Sequence, residues 1–155
     1  MKLYIMRHGE ASRGSEDSLR ALTDLGQEQV RLISSFLNSK GNDIDVIWHS
    51  SYTRAKQTAK LLEEGLTLEN ILTEERAIEP EADVAYMQRM IETTQKNLFL
   101  VSHLPFVDRL VAQLLVSRDI NIVHFRPATL VILDYIGDRW YLAACIYPEL
   151  LMEKE

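Results

Sequence analysis

Three short polar segments of the chain each pair a histidine with an arginine or a serine. They are Arg7-His8, His49-Ser50 and Ser102-His103, and an apolar stretch precedes each of them. Apolar stretches with β-branched and aromatic residues predict buried strands, so the polar pairs fall at the carboxyl ends of strands. Ligands of open α/β sheets bind at those ends, where the following turns and helices expose free backbone N–H groups. The pattern therefore predicts a site for a phosphate-type anion where the strand ends meet.

Arg54 supports the same prediction from a different direction. It lies in the first turn of a helix expected to begin near Ser51. A cation at that place opposes the helix macrodipole at a cost of roughly 0.3–1 kcal/mol, so fold stability alone favours Asp or Glu. Arginine becomes favourable there when its guanidinium shares a bound dianion with the helix terminus. The alternative is an arginine that simply points into solvent.

The hydrophobic pattern places these residues on alternating strands and helices. Thr23 and Gly41 suit the two ends of the first helix, and Asp83 suits the start of the third. The first strand ends at Arg7-His8-Gly9, and further strands are predicted at 44–48, 71–78, 97–103, 129–135 and 140–147, the last two as a hairpin. This order predicts a single domain over 1–155 of the α/β class. Its architecture is a three-layer α/β/α sandwich, mostly parallel with an antiparallel strand.

Composition narrows the classes of partner. The chain has 155 residues, 46% hydrophobic and 26% charged, a profile typical of soluble globular proteins. Its net charge of −6 argues against nucleic acid or an anionic membrane as a partner. Cys145 is the only cysteine, so no internal disulfide is expected. The opening residues lack the features of a signal peptide and no apolar run could span a bilayer, so we expect a cytoplasmic protein.

The ordered motifs resemble those of the histidine phosphatase superfamily, whose fold is called phosphoglycerate-mutase-like. The resemblance rests on Arg7-His8-Gly9-Glu10, on Ser50, Arg54, Gln57 and Thr58 in the pattern S-x-x-x-R-A-x-Q-T, and on the late His103. Within that superfamily, the short length and the segments 17–23 and 102–105 are similar to the SixA-type phosphohistidine phosphatases. The resemblance covers nearly the whole chain in order and spacing, which makes it far more specific than Arg-His-Gly alone.

The resemblance implies a role for each of these residues. His8 would be the nucleophile that attacks phosphorus and becomes transiently phosphorylated. Arg7, Arg54 and His103 would hold the phosphoryl oxygens and stabilise charge in the transition state. Further phosphate or substrate contacts are implied for Arg20, Gly9 and Ser50. The resemblance implies no cofactor and no metal.

Physical chemistry is consistent with His8 as the nucleophile. Phosphoryl transfer depends mainly on positioning and on positive charge around the equatorial oxygens. His8 must attack as a neutral imidazole, with one nitrogen free and the proton on the other held by a nearby carbonyl. The arginines around it lower its pKa by like-charge repulsion, which favours that neutral form.

The general acid has no clear motif in this chain. Larger members of the superfamily carry a glutamate acid on a loop before the third helix, and many have proline where this chain has Ser51. The carboxylates that could replace it are Glu10, Asp17, Glu79, Glu81 and Asp83. An alkoxide leaving group needs such an acid, whereas imidazole, with a pKa near ~6.5, leaves far more easily. A weak acid motif therefore favours phosphohistidine as the substrate.

The sequence leaves three functions open. The favoured one is a phosphatase for phosphohistidine on a signalling or phosphotransfer protein, with a histidine-phosphotransfer-type domain as partner. A second is a phosphatase for small phosphate esters or phosphoserine-type substrates on the same catalytic residues. The third is a module that binds phosphoproteins without catalysis.

Overall fold

The computed structural model describes residues 1–153, so the last two residues of the chain lie outside it. Six strands form one sheet in the order β3-β2-β4-β1-β5-β6. The strands are β1 Lys2–Arg7, β2 Val46–His49, β3 Leu72–Glu74, β4 Leu98–Ser102, β5 Leu130–Ile136 and β6 Arg139–Ile146. The α-helices are α1 Asp24–Lys40, α2 Thr53–Gly65, α3 Val84–Thr94 and α4 Phe106–Val116. No helix within residues 1–153 combines the length and the apolar character needed to cross a membrane.

Helices cover both faces of the sheet, as predicted for a three-layer sandwich. Leu3 and Ile5 of β1 pack in a core cluster with α3 and α4, whereas Tyr4 and Met6 pack in a second cluster with α1 and α2. All four side chains are at most 4% exposed. A strand that is buried on both faces requires a continuous apolar run, which is why this part of the sequence has no polar residue.

The helix ends follow the sequence signals. The Thr23 hydroxyl accepts a hydrogen bond from the Gly26 N–H, and Gly41 ends α1 with a φ of 77°. The Asp83 carboxylate caps α3 by accepting from the backbone N–H groups of Ala85 and Tyr86. These predictions are confirmed because caps depend on local backbone chemistry, which the sequence specifies directly.

The predicted third strand, 71–78, is wrong in extent. Only Leu72–Glu74 pairs with β2, and the last of these pairs joins Glu74 to His49. Because β2 ends at His49, residues further along the edge have no parallel partner strand to pair with. The chain instead forms a 3₁₀ turn over Arg76–Ile78, which the Glu75 side chain caps and which buries Ile78 in the core.

The hairpin and the antiparallel strand are confirmed. β5 runs antiparallel to β1, and β6 pairs antiparallel with β5. The two residues at the tip, Gly137 and Asp138, have φ values of 56° and 61°. Two successive positive φ values are typical of the tight turns that match the twist of a hairpin.

The three polar strand ends lie along one edge of the sheet. β4 is parallel to both of its neighbours, with Ser102 beside Arg7 of β1 and Val101 beside His49 of β2. His103 therefore follows the middle strand, between the residues that follow β1 and those that follow β2. This order confirms the prediction that the three ends converge.

Two glycines let the turn after β1 lie directly on helix α1. A Cβ atom on Gly9 would lie 2.7 Å from the Gly26 carbonyl oxygen, and a Cβ atom on Gly26 would clash with the Glu10 backbone. Real Cβ atoms do not approach backbone atoms this closely, so neither position accepts a side chain without a shift. The contact fixes the turn that carries His8.

We predict that Gly26→Ala destabilises the protein although it lies in a helix. Helix propensity alone favours Ala over Gly by about 1 kcal/mol. The clash with the Glu10 backbone should reverse that sign and lower the free energy of unfolding by about 1–3 kcal/mol. Urea unfolding measures the change, with Glu28→Ala, an exposed position of the same helix, as the control. A stabilised Gly26→Ala variant would show that the turn does not rest on the helix.

Candidate active site

The His8 ring is held in one orientation at the end of β1. Its Nδ1 donates a hydrogen bond to the Gly9 carbonyl oxygen at 2.7 Å. Because a carbonyl oxygen only accepts, Nδ1 carries the proton and Nε2 of the neutral ring keeps its lone pair. Nε2 accepts from the Arg54 Nε–H at 3.1 Å, which places the lone pair beside a guanidinium. The geometry matches the expectation of a neutral nucleophile whose proton a carbonyl holds.

Burial keeps His8 uncharged. The side chain is 6% exposed, and burial together with the nearby guanidinium groups of Arg54, Arg7 and Arg20 lowers its pKa to about 3. The hydrogen bond to Gly9 opposes this shift and does not cancel it. The imidazole is therefore neutral at pH 7 rather than a cation.

Two arginines flank His8, one from β1 and one from the first turn of α2. Arg54 is 5% exposed, and its Nη1 donates to the Asp17 backbone carbonyl at 2.5 Å. Arg7 donates from Nη1 to the Phe125 carbonyl at 2.9 Å. Burial and the charges of Arg54 and Arg20 lower the pKa of Arg7. Cations gathered in this way repel one another until an anion neutralises them.

His103 approaches His8 from β4. The centroids of the two rings are 5.1 Å apart. The Tyr52 ring packs against His103, with its centroid 4.8 Å from that of the His103 ring. His103 Nε2 and the Ser50 hydroxyl form a hydrogen bond of 2.5 Å. Burial, followed by the proximity of His8, Arg54 and Arg7, lowers the pKa of His103 to about 2. We call the side chains of Arg7, His8, Arg54 and His103 the cup.

Two donor nitrogens of the cup are buried without a hydrogen-bond partner among residues 1–153. They are Arg7 Nε and His103 Nδ1. The Ser50 hydroxyl accepts from the Tyr52 N–H at 3.3 Å, so its own hydrogen is available for His103 Nε2. When the hydroxyl donates to Nε2, the His103 proton lies on Nδ1. Buried donors normally find acceptors, and a phosphoryl group offers three acceptor oxygens.

A cavity of about 530 Å³ opens on the part of the cup formed by Arg7 and His8. Its lining includes Arg7, His8, Glu10, Arg13 and Arg20. Arg20 Nε donates to the Ser12 carbonyl at 2.7 Å, which directs its side chain along this wall. The cavity lining brings Arg20, a predicted contact, together with His8 and adds Arg13, which the sequence analysis did not single out.

Three of the five carboxylates considered as general acid lie near the cup. Asp17 Oδ1 is 3.4 Å from Arg54 Nη2 and 3.3 Å from Arg20 Nη1. Glu10 lines the cavity and accepts from the Thr23 hydroxyl at 3.0 Å. Glu79 accepts from the Ser51 hydroxyl, one residue away from Ser50.

The other two carboxylates have different surroundings. Glu81 is exposed and lies 3.6 Å from Arg109 of α4. Asp83 is the cap of α3 and lines a separate cavity with Arg109 and Arg118. Their placement argues against both of them as the general acid.

Ser50, which the sequence analysis considered as a phosphate contact, is fully buried and hydrogen-bonded to His103. It therefore supports a member of the cup rather than lining the cavity.

Several supporting contacts had no role in the sequence analysis. The Thr58 hydroxyl accepts from the Gly9 N–H at 3.2 Å and donates to the Arg54 carbonyl at 2.8 Å. The Gln57 side-chain oxygen accepts from the Leu22 N–H at 2.8 Å. Both residues belong to the S-x-x-x-R-A-x-Q-T pattern, which was the available signal. The Phe125 carbonyl that accepts from Arg7 gave no sequence signal, because a backbone carbonyl can come from any residue type.

The fold and this site agree with the comparison to known families. The family model of the histidine phosphatase superfamily (branch 1) matches residues 3–82. These residues contain Arg7, His8 and Arg54, the members of the cup from β1 and α2. The chain therefore belongs to the histidine phosphatase superfamily.

Individual relatives extend the similarity beyond residue 82. Phosphohistidine phosphatase SixA of Escherichia coli is 29% identical, covering 94% of this chain and 95% of that protein. The SixA homolog of Haemophilus influenzae is 32% identical, covering 90% and 91%. The structure of the protein histidine phosphatase SixA complexed with tungstate superposes with a TM-score of 0.87 at 26% identity, over 98% of this chain and 100% of that one.

We predict that Ser50→Ala weakens the binding of inorganic phosphate about tenfold. Loss of one buried hydrogen bond of about 1–1.5 kcal/mol frees the His103 ring to rotate and to change tautomer. Titration calorimetry measures the affinity, and the ¹⁵N shifts of His103 report the tautomer. Ser102→Ala removes a serine that is equally buried but bonds to the Ile78 carbonyl, and it should retain the affinity. Equal losses in both variants would mean that Ser50 has no special role.

We also predict that neutral His8 makes the protein less stable in acid. Its pKa is about 3 when folded against 6.5 when unfolded, so the unfolded chain binds more protons between these values. Stability is therefore lost as the pH falls below about 6.5. The loss approaches about 1.4 kcal/mol per pH unit for this one group. In urea unfolding from pH 7 to 4.5, His8→Asn should show a slope shallower by up to that amount. Identical slopes would contradict a neutral His8.

Proposed function

We propose that this protein is a phosphatase that removes the phosphoryl group from phosphohistidine in another protein, through a phosphorylated His8. One observation carries the proposal. A neutral imidazole, with Nδ1 held by Gly9, presents its Nε2 lone pair inside a group of cations. Such a ring can accept a phosphoryl group, and the surrounding charges match its oxygens.

In the first step, Nε2 of His8 attacks phosphorus and the bond from phosphorus to the substrate imidazole breaks. Arg7, Arg54 and the Nδ1–H of His103 bind the three phosphoryl oxygens as negative charge shifts among them. Arg54 must exchange its contacts with His8 and Asp17 for contacts with the phosphoryl group. In the second step, water attacks phosphorus and the bond from phosphorus to His8 Nε2 breaks. The phosphate leaves with both protons of the water, and His8 returns to its neutral form with its proton still on Nδ1.

The leaving group explains why the acid can be weak. A phosphorylated imidazole takes up a proton on the ring nitrogen that is not bonded to phosphorus, and then leaves as a neutral ring. The conjugate acid of a free imidazole has a pKa of about 6.5, so a proton is available for the leaving ring at neutral pH. Glu10, Asp17 and Glu79 each already have a hydrogen-bond or ion-pair partner. None of them is required at the breaking bond for this substrate.

The relatives support the proposal. Two of them are phosphohistidine phosphatases by name, and they match over nearly the whole length of both chains. The related structure was solved with tungstate, a tetrahedral oxyanion with the shape of phosphate. A phosphoprotein partner agrees with these names, and we extend it to a histidine-phosphotransfer-type domain.

A histidine-phosphotransfer domain labelled with ³²P on its histidine provides the direct test. We predict that the wild type releases labelled phosphate and forms an acid-labile phosphoenzyme. His8→Ala should lose at least about 10³-fold in kcat/KM and carry no label, because it lacks the nucleophile. Arg54→Lys should lose on the order of 10²-fold, because lysine cannot donate in a planar fork. Arg139→Lys, exposed on β6, is the matched control and should behave as wild type.

Three results would overturn the proposal. If wild type and His8→Ala release phosphate equally, His8 is not the nucleophile. If wild type prefers a phosphoserine peptide to the phosphohistidine domain by kcat/KM, the protein is an ester phosphatase and one of the nearby carboxylates acts as its acid. Tight binding of the labelled domain without release would indicate a binding module.

A further inference from the structure

An apolar groove lies beside the cup, between the start of α4 and the loop that follows this helix. Its apolar lining consists of Leu104, Pro105, Ile122, Val123 and Phe125, and its volume is about 530 Å³. Leu104 and Ile122 are each 39% exposed. We call this surface the apolar groove. Aliphatic side chains left in water next to a polar catalytic cavity indicate a surface that another molecule covers.

The apolar groove is physically joined to the cup on two sides. On one side, Leu104 directly follows His103. On the other side, the Phe125 carbonyl accepts from Arg7 Nη1 at 2.9 Å, and the Ala128 N–H donates to the His8 carbonyl at 2.9 Å. The groove therefore adjoins the cup through both the start of α4 and the loop that holds Arg7 and His8.

The loop that forms the far wall has a defined shape. Residues 117–129 contain no helix or strand. The buried Asp108 of α4 accepts from the Ile122 N–H at 3.4 Å, and Phe125 is only 1% exposed. Long loops without secondary structure inside compact domains are usually functional. The loop is therefore anchored by the Ile122 backbone and by the Phe125 side chain, while the Ile122 side chain remains partly exposed.

We propose that the apolar groove docks the phosphoprotein substrate by receiving apolar side chains that flank its phosphohistidine. This inference rests on the proposed function. The cup cavity is lined by Arg7, Arg13 and Arg20 and suits the phosphoryl group. The groove has no arginine or lysine in its lining, and its apolar residues outnumber the polar ones, which are Asp108, Asn121 and His124. A small phosphorylated molecule held in the cup leaves the groove uncovered, so the groove favours a protein as the substrate.

The size of the apolar groove agrees with a transient partner. Permanent subunit interfaces bury roughly 2,000 Å² or more, while brief signalling encounters bury less than about 1,200 Å². Two partly exposed aliphatic side chains and their neighbours supply only a small contact. An enzyme that must release its dephosphorylated product needs an interface of this weaker kind.

The test compares a protein substrate with a small one. Ile122→Ser should raise KM for the ³²P-labelled histidine-phosphotransfer domain and lower kcat/KM about tenfold, with kcat nearly unchanged, because it removes binding shared by ground state and transition state. The kcat/KM for the free amino acid phosphohistidine should stay within twofold of wild type. Leu142→Ser replaces an aliphatic side chain that is 51% exposed on β6, two strands away from β1, and should change neither value.

Three outcomes would overturn the docking proposal. Full activity of Ile122→Ser on the protein substrate would show that the apolar groove is not used. Equal losses on both substrates would show damage to the cup itself. A wild-type dimer in sedimentation at assay concentration that Ile122→Ser dissociates would show that a second copy of the chain covers the groove. If wild type releases no phosphate from either substrate, the proposed function itself has failed, which is a different result.

Discussion

The hydrogen bond from His8 Nδ1 to the Gly9 carbonyl is the contact on which the rest of the site depends. It fixes the proton on one nitrogen, leaves the other nitrogen with a lone pair, and sets the direction of the ring. The low pKa that burial and guanidinium groups impose on His8 then keeps the ring neutral. A protonated His8 would have no lone pair with which to attack phosphorus, and the charges of Arg7 and Arg54 would repel it.

Sheet order brings the other cup residues to this ring. β4 lies between β2 and β1, so the residue that follows β4 faces His8 on one side and Ser50 on the other. Helix α2 begins just beyond β2 and carries Arg54 in its first turn. The cup therefore uses strand ends and a helix start, which are among the most rigid parts of an α/β fold.

The surroundings of the cup divide by chemistry. One wall, formed by the segment before α1, carries Arg13, Asp17 and Arg20, whereas the surface beside α4 is mostly apolar. The ion pair between Asp17 and Arg54 holds the charged wall against the nucleophile. A substrate phosphate must displace that carboxylate from Arg54, so Asp17 competes with the ligand for the same cation. This division fits a partner that carries its negative charge on one group and has apolar side chains around that group.

The sequence by itself determined the order of strands and helices, their caps, and the residue types at the strand ends. These features depend on local periodicity and backbone chemistry, which neighbouring residues specify. Only the tertiary structure decided that β3 stops at Glu74, that Ser50 supports His103, and that Glu81 and Asp83 lie elsewhere. Each of these features depends on which distant segments pack together. The five carboxylates considered as the general acid are equivalent by sequence and differ only in that packing.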